Sequence, residues 1–182
     1  MTRQINVNKI AARTGNTINI ESGDTLVQPH MPLQIIQSTV NTASTTTSTS
    51  FGDVGLSATI TPKFATSKVL VTVVLGKVGQ SNSNGSQWKI LRDSTVVIQH
   101  SGSGLAHNDA AFHVSNAIYG ASNLERYVDT VVLNCFDSPS STSALVYKVQ
   151  WKVDGGTAYF NRWGVNTDAG STSSITLTEV AQ

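Results

Sequence analysis

The stretch Val128 to Phe160, VDTVVLNCFDSPSSTSALVYKVQWKVDGGTAYF, decides the fold class because it predicts three consecutive β-strands. An apolar run ends at Asp137, where the segment DSPSS supplies residues that reverse a chain. A strand buried on one face is then indicated by the alternation of Leu145, Tyr147, Val149 and Trp151 with their neighbours. Asp154-Gly155-Gly156 provides a second reversal, since glycine adopts the positive φ of tight hairpin turns.

Strand patterns continue on both sides of this stretch. They cover Leu33 to Gln37, Phe51 to Ile60, Lys68 to Leu75, Trp88 to Arg92, Val96 to Gln99 and Ser174 to Val180. Lys68 to Leu75 is the most apolar of these strands, and we expect it to be central and covered on both faces. About eight to ten strands at hairpin spacing predict an all-β antiparallel sandwich with jelly-roll connections.

Composition limits the partners of the chain. Its 182 residues suffice for one core plus a small appended segment. The 12 Lys and Arg residues nearly balance the 11 Asp and Glu residues, so the sequence lacks the basic field of a nucleic-acid-binding protein.

Membrane insertion and classical secretion are not expected. No run approaches the roughly 20 apolar residues of a membrane span, and the sequence shows no classical secretion signal. Cys135 is the only cysteine, which excludes an intrachain disulfide, and we interpret it as a small buried hydrophobic residue.

The first 32 residues differ from the rest of the chain, since they are polar and lack aromatic side chains. Such a segment has too little apolar surface to offset its own ordering entropy. We therefore divide the chain into an N-terminal attachment arm or short stalk, residues 1–32, and a sandwich domain, residues 33–182. The apolar residues expected to attach the arm to a particle are Ile5, Val7, Ile10, Ile18, Ile20 and Leu26.

The longest irregular segment, Ser101 to Ser122, holds glycines and two of the four histidines, and long loops on a β scaffold often carry binding specificity. Within it, Leu105 to Val114 is compatible with one or two helical turns. His107, Asp109 and His113 are of the types that ligate metals, but no HxH or HxxxH pair occurs and a solvated loop is the simpler interpretation. We predict neither a metal site nor a cofactor.

Trp163 carries the clearest binding signal because it stands in a polar loop, where it suits sugar stacking or an interface anchor. Burial in the core or in a trimer contact is the alternative for this side chain. The candidate ligand-binding residues are Asn161, Arg162, Trp163, Asn166, His107 and Asn108.

Several short motifs, in order along the chain, resemble the fibre and knob proteins of tailed bacteriophages, above all those of phages of cyanobacteria and other aquatic bacteria. In the sandwich domain they are SFGDVGL at 50–56, ITPKFATSKVLV at 60–71, LRDS at 91–94, DSP at 137–139, YKVQ at 147–150 and SITLTEV at 174–180. The segments VNKI at 7–10, RTGNTINI at 13–20 and GDTL at 23–26 resemble motifs that precede such knobs.

This resemblance implies a non-enzymatic virion protein, a homotrimer whose knob binds host-surface polysaccharide. Its N-terminal arm would be held by other phage proteins, either of the tail and baseplate or the major capsid protein. Because no long shaft separates arm and knob, a capsid decoration or cement protein is an alternative. A carbohydrate-active enzyme is a third hypothesis, and it would need two carboxylates about 5 to 10 Å apart across a groove.

Overall fold

A computed structural model describes residues 28–81, 85–98, 110–114, 128–163 and 170–182, and these residues fold as β-structure without a helix. None of them belongs to a helix able to cross a membrane. The strands are β1 (Pro32–Val40), β2 (Ser44–Thr46), β3 (Gly52–Ile60), β4 (Lys68–Gln80), β5 (Ser86–Arg92), β6 (Thr95–Ile98), β7 (Phe112–Val114), β8 (Val128–Asp137), β9 (Leu145–Val153), β10 (Ala158–Phe160) and β11 (Ser173–Val180). The predicted arm lies almost entirely outside the described residues.

The first sheet, sheet A, is organised around the long strand β4. Strand β8 pairs with one edge of β4 along nearly its whole length. On the other edge, β11 pairs with Lys68 to Val74 and β10 continues the line at Val78 to Gln80. Strand β1 lies outside β11, and β2 lies outside β10. Sheet A is therefore four strand positions wide.

The second sheet, sheet B, is built in the same way around β9 and β5. Strand β3 pairs with the outer edge of β9, and β5 pairs with its other edge from Ser86 to Arg92. The free edge of β5 is shared by β6 at one end and β7 at the other. All pairings in both sheets are antiparallel.

The pairings are nested, which is the connectivity of a jelly roll. The first strand pairs with the last, β3 pairs with β9, β4 pairs with β8, and β5 pairs with β6 across the turn after Arg92. Such nesting arises when one long antiparallel ribbon folds over into two facing sheets. The predicted all-β sandwich with jelly-roll connections is confirmed.

The two turns predicted in the stretch 128–160 do not join paired strands of one sheet. Strand β8 pairs with β4 in sheet A, whereas the next strand, β9, pairs with β3 and β5 in sheet B. The turn residues after Asp137 and at Asp154-Gly155-Gly156 carry the chain from one sheet to the other. Turn chemistry shows where a chain changes direction, but partner choice depends on long-range packing.

The central position of β4 is confirmed, but its expected burial on both faces is wrong. Val69, Val71, Val73 and Leu75 are fully buried, while the alternate residues Leu70, Thr72 and Val74 are only partly buried. Phe112–Val114, at the end of the segment compatible with helical turns, forms strand β7, and residues 105–109 of that segment lie outside the described residues.

Aromatic residues fill one end of the core between the sheets. The Trp88 ring lies 5.1 Å from the Trp151 ring and 6.0 Å from the Phe160 ring of the opposite sheet, measured between centroids. The indole nitrogen of Trp88 donates a hydrogen bond of 3.0 Å to the hydroxyl of Ser86, so its one polar atom is satisfied. Trp88 and Trp151 are both buried in the core.

Candidate functional site

The predicted ligand-binding loop begins directly after β10, with Asn161. This side chain is fully buried, and its backbone has a positive φ of 56°. Its amide nitrogen donates to the carbonyl oxygens of Val40 (2.9 Å) and Thr42 (3.4 Å). Its amide oxygen accepts hydrogen bonds from the hydroxyls of Ser173 (2.6 Å) and Ser171 (3.3 Å). In the described structure Asn161 thus connects three segments of sheet A.

Arg162 and Trp163 follow Asn161 and are both partly buried. The guanidinium carbon of Arg162 lies 5.4 Å from the centre of the Tyr159 ring, within the range of a cation–π contact. The Nε of Arg162 donates to the backbone oxygen of Trp163 over 3.2 Å, and Arg162 forms an isolated bridge with Gly170. Trp163 therefore lies beside the guanidinium group of Arg162. This arrangement is compatible with sugar stacking and with an interface contact, the two roles predicted for Trp163.

The other predicted site residues lie outside the described part of the chain. They are Asn166, His107 and Asn108 of the ligand-binding set and the arm residues Ile5, Val7, Ile10, Ile18, Ile20 and Leu26. Among the described residues, no group of three His, Cys, Asp or Glu side chains is placed to hold a metal ion.

A polar cluster that the sequence did not indicate lies at the end of sheet B near β7. His113 Nε2 lies 3.1 Å from Oδ2 of Asp154, and the amide of Gln87 donates to Oδ1 of the same carboxylate. The Asp154 backbone N–H donates to the oxygen of Gly85 (3.1 Å), whose φ is +102°. A methyl group at Gly85 would come within 2.0 Å of the His113 ring. The Asp-Gly-Gly sequence indicated only a turn, since the partners of Asp154 are distant in sequence.

A second cluster links the two sheets at the opposite end of β5. Asp137 ends β8 in sheet A, and it accepts hydrogen bonds from Arg92 and Tyr147 of sheet B. In the same region Oδ1 of Asp93 accepts the backbone N–H of Val146 over 3.0 Å. Cys135, two residues before Asp137, is half-buried, and burial together with the negative charge of Asp137 raises the pKa of its thiol.

A third cluster surrounds Glu179 of β11, which is fully buried. Its carboxylate accepts hydrogen bonds from the side-chain amide of Gln34 (2.6 Å) and from the backbone N–H groups of Lys63 (2.7 Å) and Phe64 (3.3 Å). Burial alone favours the protonated acid, but these donors outweigh it and lower the pKa of Glu179. These hydrogen bonds attach the loop between β3 and β4 to β11.

The outward surface of sheet A is uncharged over three successive rows of four side chains. Strand register places these residues in the rows Ile35, Thr178, Leu70 and Phe136; Gln37, Thr176, Thr72 and Asn134; and Thr39, Ser174, Val74 and Val132. Ile35, Val132 and Phe136 are 63%, 56% and 60% exposed. We call this surface the outer face of sheet A.

A shallow depression of about 330 Å³ borders the outer face of sheet A at one end. It is lined by His30, Lys68, Phe136, Val180 and Gln182. Phe136 therefore belongs both to the depression and to the first row of the face.

The outward surface of sheet B has a different chemistry, because it carries lysines. Lys89 and Lys152 lie 3.8 and 4.7 Å from the centre of the Phe51 ring. Lys148 is 3.0 Å from Oδ2 of Asp53, and hydrogen bonds from Gln150 and Lys148 lower the pKa of that carboxyl group. Three lysines therefore lie on the outward surface of sheet B, and one of them is paired with Asp53.

Comparisons with known proteins find similarity at the level of structure, not of sequence. No protein-family model matches the chain, and no curated protein matches it. Among solved structures, the chain is similar to a chain of the "Structure of infectious bursal disease virus Gx strain", with a TM-score of 0.35 and 11% sequence identity. The match covers 90% of this chain and 43% of that chain, so this chain spans less than half of the other's length.

Proposed function

We propose that the chain is a non-enzymatic structural protein of a bacteriophage particle, a homotrimeric knob of the tail-fibre type that binds host-surface glycans and is attached by its N-terminal arm. The observation that carries this proposal is a jelly-roll sandwich whose sheet A has three uncharged outward rows and whose sheet B carries lysines on its outward surface. Jelly rolls serve in viral capsid and lectin domains, which fits a particle-borne binding role. The step from fold to function rests on analogy.

The motifs that resemble phage knobs support the proposal through the positions they occupy. Arg92, Asp137 and Tyr147 come from three separate motifs, and they meet in one cluster between the sheets. Lys63, Phe64 and Glu179 come from two further motifs and meet at the buried carboxylate. Residues of motifs that are distant in sequence therefore contact one another in the folded domain.

The carboxylates of the three clusters and of sheet B support the non-enzymatic part of the proposal. Asp154 is bonded to Gln87 and His113, and Asp53 accepts hydrogen bonds from Lys148 and Gln150. Asp93, Asp137 and Glu179 accept hydrogen bonds from backbone or side-chain donors of their own clusters. All these acids have structural partners, whereas a glycosidase needs a pair of acids facing one groove.

Imaging of labelled virions tests the location of the protein. Antibody raised against the chain should label the tail tip of phage particles in electron micrographs, and the purified chain should have the mass of a trimer in solution. Label spread over the capsid would instead support a decoration or cement protein attached through its arm. Absence of label from particles would refute a virion protein of either kind.

Binding to purified host polysaccharides tests the recognition role. If the loop at Trp163 contacts sugar, Trp163→Ala should weaken binding at least roughly tenfold, the effect of losing one well-packed aromatic contact. Tyr159→Phe is the control, because it retains the ring beneath Arg162. Shortening of the polysaccharide by the wild-type chain would support the enzyme hypothesis and contradict the proposal.

A further inference from the structure

The outward surface of sheet B gathers three lysines around one glutamine. Strand register places Lys89 of β5 opposite Gln150 of β9. Lys148 and Lys152 lie two residues to either side of Gln150. Residues two apart on a strand point to the same face, so the three ammonium groups share one surface, and the two on β9 are attached roughly 13 Å apart. This spacing suits a chain of linked groups better than one small ion.

Two of these lysines approach the same aromatic ring. The centre of the Phe51 ring lies 3.8 Å from Nζ of Lys89 and 4.7 Å from Nζ of Lys152. Each contact is a favourable cation–π interaction, but the two like charges repel each other. No carboxylate of the described residues forms an ion pair with Lys89. An anion bound between the two ammonium groups would therefore relieve their repulsion.

A depression of about 250 Å³ opens beside the third lysine. Strand β3 bulges there, because its register with β9 shifts between Asp53 and Ser57. The depression is lined by Asp53, Gly55, Leu56, Ser57, Val146 and Lys148. Pockets for drug-sized ligands usually have about 300 to 1,000 Å³, so this smaller space, with its carboxylate, hydroxyl and ammonium groups, suits a single sugar ring.

Asp53 indicates which kind of anionic chain fits this surface. Its side chain is 52% exposed, and its carboxylate accepts hydrogen bonds from Lys148 (3.0 Å) and Gln150 (2.7 Å). A carboxylate has about four acceptor positions, and sugar hydroxyls can donate to those that remain. The phosphate backbone of DNA has no donor for Asp53 and would be repelled by its charge. The surface therefore favours a polysaccharide with repeated anionic groups.

We propose that the outward surface of sheet B binds an acidic polysaccharide, whose carboxylate or sulfate groups contact Lys89 and Lys152 and whose adjoining sugar occupies the depression beside Lys148. The inference rests on the glycan binding of the proposed function, and it names the class of glycan. It also assigns a contact surface separate from the loop at Trp163, which follows β10 of sheet A.

Titration calorimetry of the full-length chain with soluble polysaccharides tests the inference. Alginate supplies carboxylate groups, dextran sulfate supplies sulfate groups, and unmodified dextran is the neutral probe. We expect one charged polymer to bind at least about tenfold more tightly than dextran, with an affinity that falls as salt is added. The polymer that binds identifies the anionic group.

Paired lysine substitutions locate the contact. Loss of both charges in Lys89→Gln/Lys152→Gln should weaken binding of that polymer at least about tenfold, whereas Lys89→Arg/Lys152→Arg should bind within about threefold of the wild type. Lys63→Gln/Lys68→Gln is the matched control, because it removes the same charge away from sheet B. Its affinity should stay within about threefold of the wild type. Thermal unfolding checks that every variant is folded.

Filling the depression tests the contact with the sugar itself. Val146 lines the depression and is 38% exposed, so a larger side chain is tolerated there. Val146→Trp should weaken binding of the charged polysaccharide at least about tenfold. Binding of polyglutamate, which offers carboxylates without sugar, should be the same for this variant and the wild type.

The outcomes separate this inference from the function on which it rests. A chain that binds no polysaccharide, including those of the host, would refute glycan binding itself. Binding of host polysaccharide but of neither charged polymer would overturn only the acidic class. Affinity that survives the loss of Lys89 and Lys152, an equal loss in the control pair, or equally tight binding of DNA would overturn the assignment to sheet B.

Discussion

The hydroxyl of Tyr147 donates a hydrogen bond of 2.7 Å to Oδ2 of Asp137, and this bond joins the two sheets of the sandwich. Arg92 donates to the same oxygen. Burial raises the pKa of Tyr147, and the hydrogen bond to Asp137 and its negative charge raise it further. The phenol therefore stays protonated, and able to donate, throughout the physiological pH range.

Removing this hydroxyl should lower stability while the fold is retained. We expect Tyr147→Phe to reduce the free energy of unfolding by about 1 kcal/mol, the net value of one hydrogen bond. Asp137→Asn should cost more, about 2 to 3 kcal/mol, because it also leaves the partly buried Arg92 without its negative partner. Urea unfolding followed by tryptophan fluorescence measures both. Tyr159→Phe is the control, and a loss as large as that of Tyr147→Phe would contradict the assignment.

Glu179 should make stability fall in acid. The pKa of the folded-state carboxyl lies below its usual value of 4.5, so the carboxylate stabilises the fold above that pH. The contribution is lost as pH falls from 4.5 toward the lower folded-state pKa. Urea midpoints measured between about pH 7 and about pH 3 should therefore decline, and Glu179→Gln should decline less steeply. If the urea midpoints of the wild type and of Glu179→Gln fell equally with pH, Glu179 would not be the source of the loss of stability in acid.

Glu179→Gln should also lower the stability of the fold at neutral pH. A glutamine at position 179 offers an N–H group where the backbone N–H groups of Lys63 and Phe64 require an acceptor. We expect Glu179→Gln to lower the free energy of unfolding by about 2 kcal/mol at neutral pH. Thr59→Glu provides a comparison, because it changes charge at an exposed residue of β3. An equal loss in both variants would indicate a general charge effect.

Asn161 should behave as a structural residue in stability measurements. Asn161→Gly removes the side-chain hydrogen bonds but accommodates the positive φ, and we expect a loss of about 2 kcal/mol. Asn161→Ala should lose about 1 kcal/mol more, since alanine is strained at that φ. Thermal unfolding of the three proteins measures both differences. If both variants were as stable as the wild type, the network around Asn161 would contribute nothing.

Gly85 should be intolerant of a side chain because of its closeness to His113. The added methyl group of Gly85→Ala must displace the imidazole from Asp154, and the positive φ adds strain, so we expect a loss of about 2 kcal/mol in thermal unfolding. In a His113→Ala background the same change should cost about 1 kcal/mol, the backbone strain alone. Gly52→Ala is the control, since nothing lies within 4 Å of the place that its added methyl group would take.

Local patterns in the sequence predicted the strands well. The alternation in β9 places Leu145, Tyr147 and Val149 in the core, and the tight turn after Arg92 joins β5 and β6 in a hairpin. These features depend on neighbours along the chain, so period-two hydrophobicity and turn chemistry suffice to predict them.

Such local patterns do not predict contacts between residues that are distant in sequence. His113 and Asp154 are 41 residues apart, and nothing in either local sequence indicates that they meet. Asn161 drew attention as a polar residue beside a loop tryptophan, yet its amide is buried among carbonyl and hydroxyl groups contributed by β1 and β11 and their flanking residues. Local polarity does not distinguish a residue that faces solvent from one that satisfies buried backbone groups.

The place of β11 in sheet A affects when the protein can fold during its synthesis. This strand is synthesised after the other described strands of sheet A, yet it lies between β1 and β4 and bonds to both. Until Ser173–Val180 has emerged, β1 has no partner strand on that side, and the apolar edge of β4 stays open to other nascent chains. The sandwich should therefore complete its fold only after β11 has been synthesised, and its yield in cells should depend on chaperones that shield open strand edges.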